Sequence, residues 1–582
     1  MPPKHLASVQ EPEILIDEST PLLVTEFPPI DAEQQRQEPQ TTTNANAPQQ
    51  TTWSILSVLS VLLVGVFVSN ADSTFLLAAY PQIASEFDAL QHGAWLLTAY
   101  MLAMCAVQPL YGRLSSIFGR KPLLLVAYSL YAAGSAVCAV GRTLSVVVAG
   151  RLLAGMGGAG LVCLVSILIT DLVPLRDVAA YRSYVNIVQT LGRSVGAPLG
   201  GLVADQFGWR AAFRAVVPLT LAGGGLVAWR LESHYGLKKG DDEGEDNGKE
   251  DETVRGRLRR VDVVGAVLLA TSITLALAAI SKVDSGAVGA ESFASASSFL
   301  SSIPPWAGLA FGALQCLSAF IYWETRYAAE PIFPPQLLAH RAVWTSYTLL
   351  LLQNTAQAAA TLSVPLFIQI TRGADVGMSG IYLLPSVVGN TVGGLGTGFY
   401  VSRTGRYRAA AVVSGLFGVV GYGIMIWRWV AGPAFYPVAD DLWIFFAGAA
   451  TGTAHSAAFM ALAAGLSAQQ ADIGGEDNAS VAIASSGIYL SGNVGGMVGL
   501  SLSSALLQNV LASKLRQFLD PATVDKVLSS VDYVLSLPMD DARRGQIVDA
   551  YVVGFHATFW EALVCSGLAF AVALCIREHV LR

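Results

Sequence analysis

Long apolar stretches recur along the whole chain, and their number and length constrain its fold more than any other feature. Their approximate cores run 54–77, 94–111, 123–140, 144–170, 183–204, 211–230, 261–281, 303–323, 343–368, 379–401, 410–430, 442–466, 479–510 and 555–576. That is roughly fourteen segments, each long enough for the ~20 helical residues a hydrocarbon core demands. Within lipid, a segment of this kind satisfies its backbone polar groups as a helix. Composition agrees: 53% of the 582 residues are hydrophobic and only 13% are charged, with a mean hydropathy of +0.52. A soluble chain carries about 25% charged residues, and soluble cores stop growing near ~250–300 residues. The apolar excess must therefore face lipid. A soluble enzyme, a nucleic-acid binder and a disordered scaffold are excluded, and the chain is expected to be an all-α polytopic membrane protein.

The segments between the spans set the organisation. Residues 1–50 are polar, rich in Gln, Pro, Thr and Glu, without a signal core, and read as a disordered cytosolic tail. Residues 51–231 hold six spans, 232–260 form a charged cytosolic linker, 261–341 hold two further spans, and 342–582 hold six more with a long luminal loop at 511–554. A cytosolic N-terminus puts Arg113, Arg120, Lys121, Arg176, Arg182, Arg403, Arg406 and Arg408 in inside loops, beside the basic residues of 231–260. Against that rule, Lys514, Arg516, Lys526, Arg543 and Arg544 fall outside. Both termini are still expected in the cytosol. In the 511–554 loop, Val524, Val527, Leu528, Val531 and Leu535 recur at helical spacing and predict an amphipathic cap. The six cysteines lie in or beside apolar segments without paired spacing, and read as small buried hydrophobes.

An internal repeat divides the spans into two bundles. Gly112-x6-Gly119-Arg120 follows span 2, and Gly398-x6-Gly405-Arg406 follows span 10. Gly192, Gly196 and Gly200 stripe span 5, while Gly492, Gly496 and Gly499 nearly reproduce the stripe in span 13. The second and fifth spans of two six-helix bundles thus correspond, with two helices intercalated. Parallel repeats of this kind are a transporter architecture, with the substrate site between the halves near the midplane.

At these residues the sequence resembles the major facilitator superfamily, over residues 50–580. Gly112-Arg113-Leu114-Ser115-Ser116-Ile117-Phe118-Gly119-Arg120-Lys121 resembles the family's loop 2–3 signature. Arg151 with Gly155, Gly157 and Gly158 resembles the span 4 motif, and the run Gly192 to Gly201 with Pro198 resembles the span 5 antiporter motif. Asp72-Ser73-Thr74 with Pro81, and Trp95 to Tyr100, resemble the fourteen-span drug:proton antiporter branch. The run through Gly208-Trp209-Arg210 is similar to fungal vacuolar basic amino-acid transporters. The resemblance implies the major facilitator fold, a monomer, and gating by Gly112, Gly119, Arg120, Gly192, Gly196, Pro198 and Gly200. Glu18-Ser19-Thr20-Pro21-Leu22-Leu23 fits an acidic dileucine pattern, so Glu18, Leu22 and Leu23 are candidate contacts for a sorting adaptor. One departure is Ser116, where the family's motif carries an acid that latches the inward-closed state.

Four residues stand out as substrate or proton contacts. An ionisable group inside a span costs ~2.5–3.5 kcal/mol or more and normally faces a cavity or a partner. Asp72 in span 1 is therefore expected to compensate a cationic substrate and exchange it for a proton. Arg151 in span 4 stays charged and needs a carboxylate, carbonyls or water; resemblance gives it a part in proton transfer. Asn70 and Asn354 are expected in the cavity, because first spans of each half line the family's central pathway. Asn186, Gln189, Gln353, Gln357, Asn390 and Asn493 read as interhelical glue, His455 as a satisfied core histidine, and Arg193 has no assigned role.

The chain carries no GxxxxGK[ST] loop, no metal-ligand cluster and no covalent catalytic constellation. Neither cofactor nor nucleic acid is implied, and the driving energy is a gradient. The expectation is a proton-coupled antiporter moving basic amino acids across the vacuolar membrane. The alternatives are a plasma-membrane efflux pump for drugs or secondary metabolites, and a non-transporting nutrient receptor on the transporter fold.

Overall fold

The computed structural model describes residues 52–87, 95–173, 175–231, 262–286, 305–328, 335–373, 381–430, 442–473, 478–529, 533–534 and 542–579. The dileucine residues Glu18, Leu22 and Leu23, the tail 1–50 and the linker 232–260 lie outside the described residues, and so do Val531 and Leu535. Within the described residues all regular structure is helical, with fourteen long helices and two short ones.

The first bundle comprises α1 (Thr52–Glu86), α2 (Trp95–Phe118), α3 (Arg120–Val140), α4 (Leu144–Leu172), α5 (Leu175–Phe207) and α6 (Trp209–Arg230). Then come α7 (Val263–Gly286) and α8 (Pro305–Arg326), and the five-residue α9 (Pro335–Ala339). The second bundle comprises α10 (Arg341–Arg372), α11 (Leu384–Thr404), α12 (Arg408–Val430), α13 (Ile444–Ile473), α14 (Asn478–Leu515) and α16 (Ala542–Leu574), with the short α15 (Pro521–Ser529) between the last two. The intercalated pair packs α7 on α8 and sets α7 against both α2 and α14. Val524 and Val527 of α15 are buried against the second bundle, as their helical spacing predicts.

Among the described residues, eight helices are long and apolar enough on their own to cross a membrane. Among the other long helices are α5, α10 and α11, which carry Arg182, Asn186, Arg193, Gln353, Asn354 and Asn390. Such helices line a polar interior, and their lower hydropathy follows from that position. The span boundaries depart most at α16, which starts at Ala542, well before the apolar core at 555 and inside the segment expected as the 511–554 loop; α5 likewise starts at Leu175, two helical turns before its apolar core at 183. Arg182 is accordingly a buried helical residue and not a loop residue.

Glycine sets how the helices pack. A Cβ on Gly192 would sit 2.8 Å from the Phe67 carbonyl oxygen, and one on Gly196 would meet the Ala71 carbonyl oxygen and Thr74 Oγ1 inside van der Waals contact. The α5 stripe is therefore the seam with α1. In the second bundle Gly495 and Gly499 play that part against Leu351 and Thr355 of α10, whereas Gly496 faces open space. Pro198 lies within α5, its side chain outside the described part. Between α2 and α3 the chain turns at Gly119 with φ 84°, and the repeat partner Gly405 turns at φ 69° between α11 and α12. Only glycine adopts such angles without strain.

The two ends of the molecule differ. At the end bearing the α2–α3 turn, Leu59, Leu124, Leu168 and Val178 share one apolar cluster with Val343, Val401, Leu462 and Ala482 of the second bundle. At the other end there are two clusters, Phe75, Ile83, Trp209 and Phe213 in the first bundle, and Phe367, Tyr422, Leu511 and Phe555 in the second. The bundles are thus fused by packing at one end and packed separately at the other.

Candidate functional site

The sealed end is built from close backbone approach. A Cβ on Gly112 would strike Ser486 Oγ and the backbone of α14, and Gly398 packs as tightly on Ala179 and Ser183 of α5. Ser183 Oγ donates to the Gly394 carbonyl at 2.7 Å. Asn186 Nδ2 donates to Asn390 Oδ1 at 2.8 Å, and Asn493 Nδ2 donates to Gln108 Oε1 at 3.1 Å. These amides join the halves across the seam, as expected of glue. Arg120 is buried, and its Nε donates to Asp171 Oδ2 at 2.8 Å while Nη1 donates to the Ser115 carbonyl at 2.6 Å. Ser116 donates to the carbonyl of Arg113 in its own helix. At Arg120 the charge partner is Asp171, at the end of α4, one residue past the apolar core at 144–170.

Above this seal, about 50 Å³ of space lies between the bundles, lined from α1, α2, α4 and α5 on one side and α10, α13 and α14 on the other. Asn70 and Asn354 both line it. Each donates its Nδ2 to the carbonyl four residues back, Val66 and Leu350, at 2.8 Å. The same tie at repeat-related positions uses each amide nitrogen and leaves the Oδ1 to accept from elsewhere. Asn70 Oδ1 accepts from Arg193 Nε at 3.0 Å. Arg182, Gln189, His455, Tyr489 and Asn493 complete the polar lining, which contains no carboxylate among the described residues. His455 is a cavity residue, with Nδ1 against the Thr451 carbonyl at 3.0 Å.

Asp72 and Arg151 come together as a buried pair. Arg151 Nη1 donates to Asp72 Oδ2 at 2.6 Å, with side-chain exposures of 1% and 0%. Tyr131 Oη donates to the same oxygen at 3.0 Å. The guanidinium lies 4.4 Å from the Tyr100 ring centre, and Tyr100 shares a 2.9 Å hydrogen bond with Ser69. Asp72 Oδ1 and Arg151 Nε are buried without hydrogen-bond partners among the described residues. Asp72 is absent from the cavity lining, so in this state it is not placed as the counter-ion of a substrate. Its charge is already met by Arg151, because a lone carboxylate at this depth would be too costly. Tyr131 has no sequence signal beyond a hydroxyl within an apolar span.

At the other end Glu86 ties three elements together. It accepts from Trp209 Nε1 and from Arg210 Nη1, each at 2.6 Å, while Arg210 Nη2 donates to the Gly141 carbonyl at 3.1 Å. The Trp209 bond, then Arg210, hold the Glu86 carboxyl below the usual carboxylate range. The Gly208-Trp209-Arg210 run thereby anchors α6 to the end of α1.

Two helical bundles, a polar space between them and a glycine-sealed end define a membrane transporter of the alternating-access kind. Residues 62–500 match the model of the Major Facilitator Superfamily, and the chain belongs to that family. It is a transporter and not an enzyme. Its relatives include the vacuolar membrane amino acid uptake transporter fnx2 of Schizosaccharomyces pombe, 31% identical over 91% of this chain and 85% of that one. The multidrug resistance protein fnx1 of the same organism is 29% identical over 90% of this chain and 93% of its own. Among solved structures, the human organic anion transporter MFSD10 superposes with a TM-score of 0.53 at 14% identity, covering 90% of this chain and 99% of its own.

Proposed function

We propose that the chain is a proton-coupled antiporter that moves amino acids across the vacuolar membrane. The observation that carries the coupling is the Asp72–Arg151–Tyr131 cluster. A proton on Asp72 removes the charge that Arg151 needs, and a buried guanidinium left alone costs about 3–5 kcal/mol. Protonation therefore favours a conformation in which α1 and α4 shift and Arg151 finds water or another anion. Asn70 lies two residues from Asp72 on the same helix and holds Arg193, so movement of α1 is felt in the cavity. The likeness to the fnx2 uptake transporter supports the compartment and the substrate class. The basic amino acids expected from Asp72 lose their counter-ion in this geometry, and amino acids recognised through their common zwitterionic end fit it better.

The test is ATP-driven uptake of labelled amino acids into isolated vacuolar vesicles, with and without the protein. Uptake that needs the protein and collapses with a protonophore is expected. No uptake, with the protein found at the cell surface, would instead favour drug efflux, the second reading, which the likeness to fnx1 supports.

A further inference from the structure

We propose that Arg182 and Arg193 recognise a carboxylate on the transported molecule, Arg193 at the mouth of the cavity and Arg182 at its floor. This deepens the amino-acid reading and rests on it. The two residues are eleven apart on α5, which puts them on one helix face with roughly 16 Å of rise between them. Both line the space between the bundles. Arg182 adjoins Ser183, whose bond to Gly394 belongs to the seal, so its guanidinium sits at the closed end. It is 8% exposed, and its Nη1 is buried without a hydrogen-bond partner among the described residues. Its guanidinium carbon lies 3.5 Å from the Phe459 ring centre and 5.3 Å from that of Tyr489. Two aromatic rings of the second bundle thus fix the group in place and leave one edge unused. Arg193 is exposed, with its Nε on Asn70 Oδ1.

The thirteen lining residues carry two guanidiniums and no Asp or Glu. The acid on α1 beside the cavity, Asp72, is neutralised by Arg151. A cavity of this charge repels a bare cation and favours an anionic group. Guanidinium is the side chain best shaped for a planar carboxylate, which it can bind through two parallel N–H bonds. In the state seen here, closed at the α2–α3 end, a group entering from the other end meets Arg193, where it can displace Asn70 Oδ1, before it reaches Arg182 where the two bundles meet. Binding there bridges α5 to the Phe459 and Tyr489 rings of the second bundle, so the substrate itself helps join the halves. The space is far below the ~300–1,000 Å³ of a drug-sized site, so entry requires the bundles to part.

The test uses the purified full-length chain in detergent, following its thermal unfolding midpoint in titrations with the twenty amino acids, their amides, their decarboxylated amines, and benzoate. Amino acids that stabilise the chain are expected to do so at least ten-fold more tightly than the matching amide and amine. Arg182→Gln should weaken that binding at least ten-fold, and Arg193→Gln should weaken it several-fold, with Arg193→Lys retaining part of the affinity. Amides or amines that stabilise as well as the acids would overturn the proposal, and that comparison needs only the unmodified protein. Absence of stabilisation by any carboxylate would overturn it too. Stabilisation by benzoate alone would uphold the carboxylate subsite and remove the amino-acid reading. Amino-acid binding indifferent to both Gln variants would do the reverse.

Discussion

On the proposed coupling, a proton on Asp72 removes the charge that both Arg151 and Tyr131 address, since the two donate to the same carboxylate oxygen. Asp72→Asn should therefore unfold at lower temperature, by an amount equivalent to about 3–5 kcal/mol, and should no longer couple transport to a proton gradient. Replacing both partners, Asp72→Asn with Arg151→Met, removes the stranded charge. Thermal unfolding in detergent should then recover most of the lost stability, while coupling stays absent. If the double variant is as unstable as the single one, the stranded charge is not the cause. Glu86 makes a separate, smaller prediction. Its folded pKa is depressed, so its contribution is complete above the ordinary glutamate range of about 4.3 and fades as pH falls through the lower folded value. A plot of unfolding temperature against pH should drop below that range in the parent and be flatter there in Glu86→Gln. The effect is modest because the carboxylate is 44% exposed.

Helices α1 and α5 test the packing scale. A methyl on Gly196 would meet the Ala71 carbonyl oxygen and Thr74 Oγ1 well inside contact distance, whereas one on Gly201 meets nothing within 4 Å. Gly196→Ala should cost about 1–3 kcal/mol through overpacking, and Gly201→Ala should stay within about 0.5 kcal/mol of the parent. Equal unfolding temperatures for the two would mean that the seam tolerates separation. Spacing alone made this α5 stripe legible, since residues four apart share a helix face. The stripe of α14 was harder to read, because Gly492, Gly495, Gly496 and Gly499 offer two overlapping registers and only contact with Leu351 and Thr355 selects one. Arg182 was misplaced for a related reason. Hydropathy marks where a helix turns apolar, not where it begins, and α5 runs two turns further into polar sequence. Asp72, Arg151, Asn70 and Asn354 each stood out alone as polar groups in apolar spans. Sequence could not pair the first two, since that pairing joins α1 to α4 across two intervening helices, nor supply Tyr131 and Asp171, whose partners come from other helices.

At the scale of the whole molecule, one shared apolar cluster at the α2–α3 end and two separate clusters at the other describe a transporter closed on one side. The close approaches at Gly112 and Gly398 and the Arg120–Asp171 bond all lie on the closed side. Weakening that bond with Asp171→Asn should open it more often. A cysteine introduced at Ser486, which faces Gly112, would then react with a membrane-impermeant thiol reagent several-fold faster than in the parent background. An unchanged labelling rate would assign the Arg120–Asp171 bond to bundle stability and not to gating. On the proposed transport cycle, rocking two rigid bundles would open this end and close the other, each bundle keeping its internal packing while the contacts between them in the shared cluster part.

Counterflow and gradient-driven uptake in the same proteoliposomes separate substrate passage from proton coupling. The parent protein should accumulate a labelled amino acid when a proton gradient is imposed and exchange it across the membrane when none is. Asp72→Asn should keep the exchange and lose the accumulation. Accumulation by Asp72→Asn at the parental level would contradict the account, because the buried pair would then not be where the proton acts.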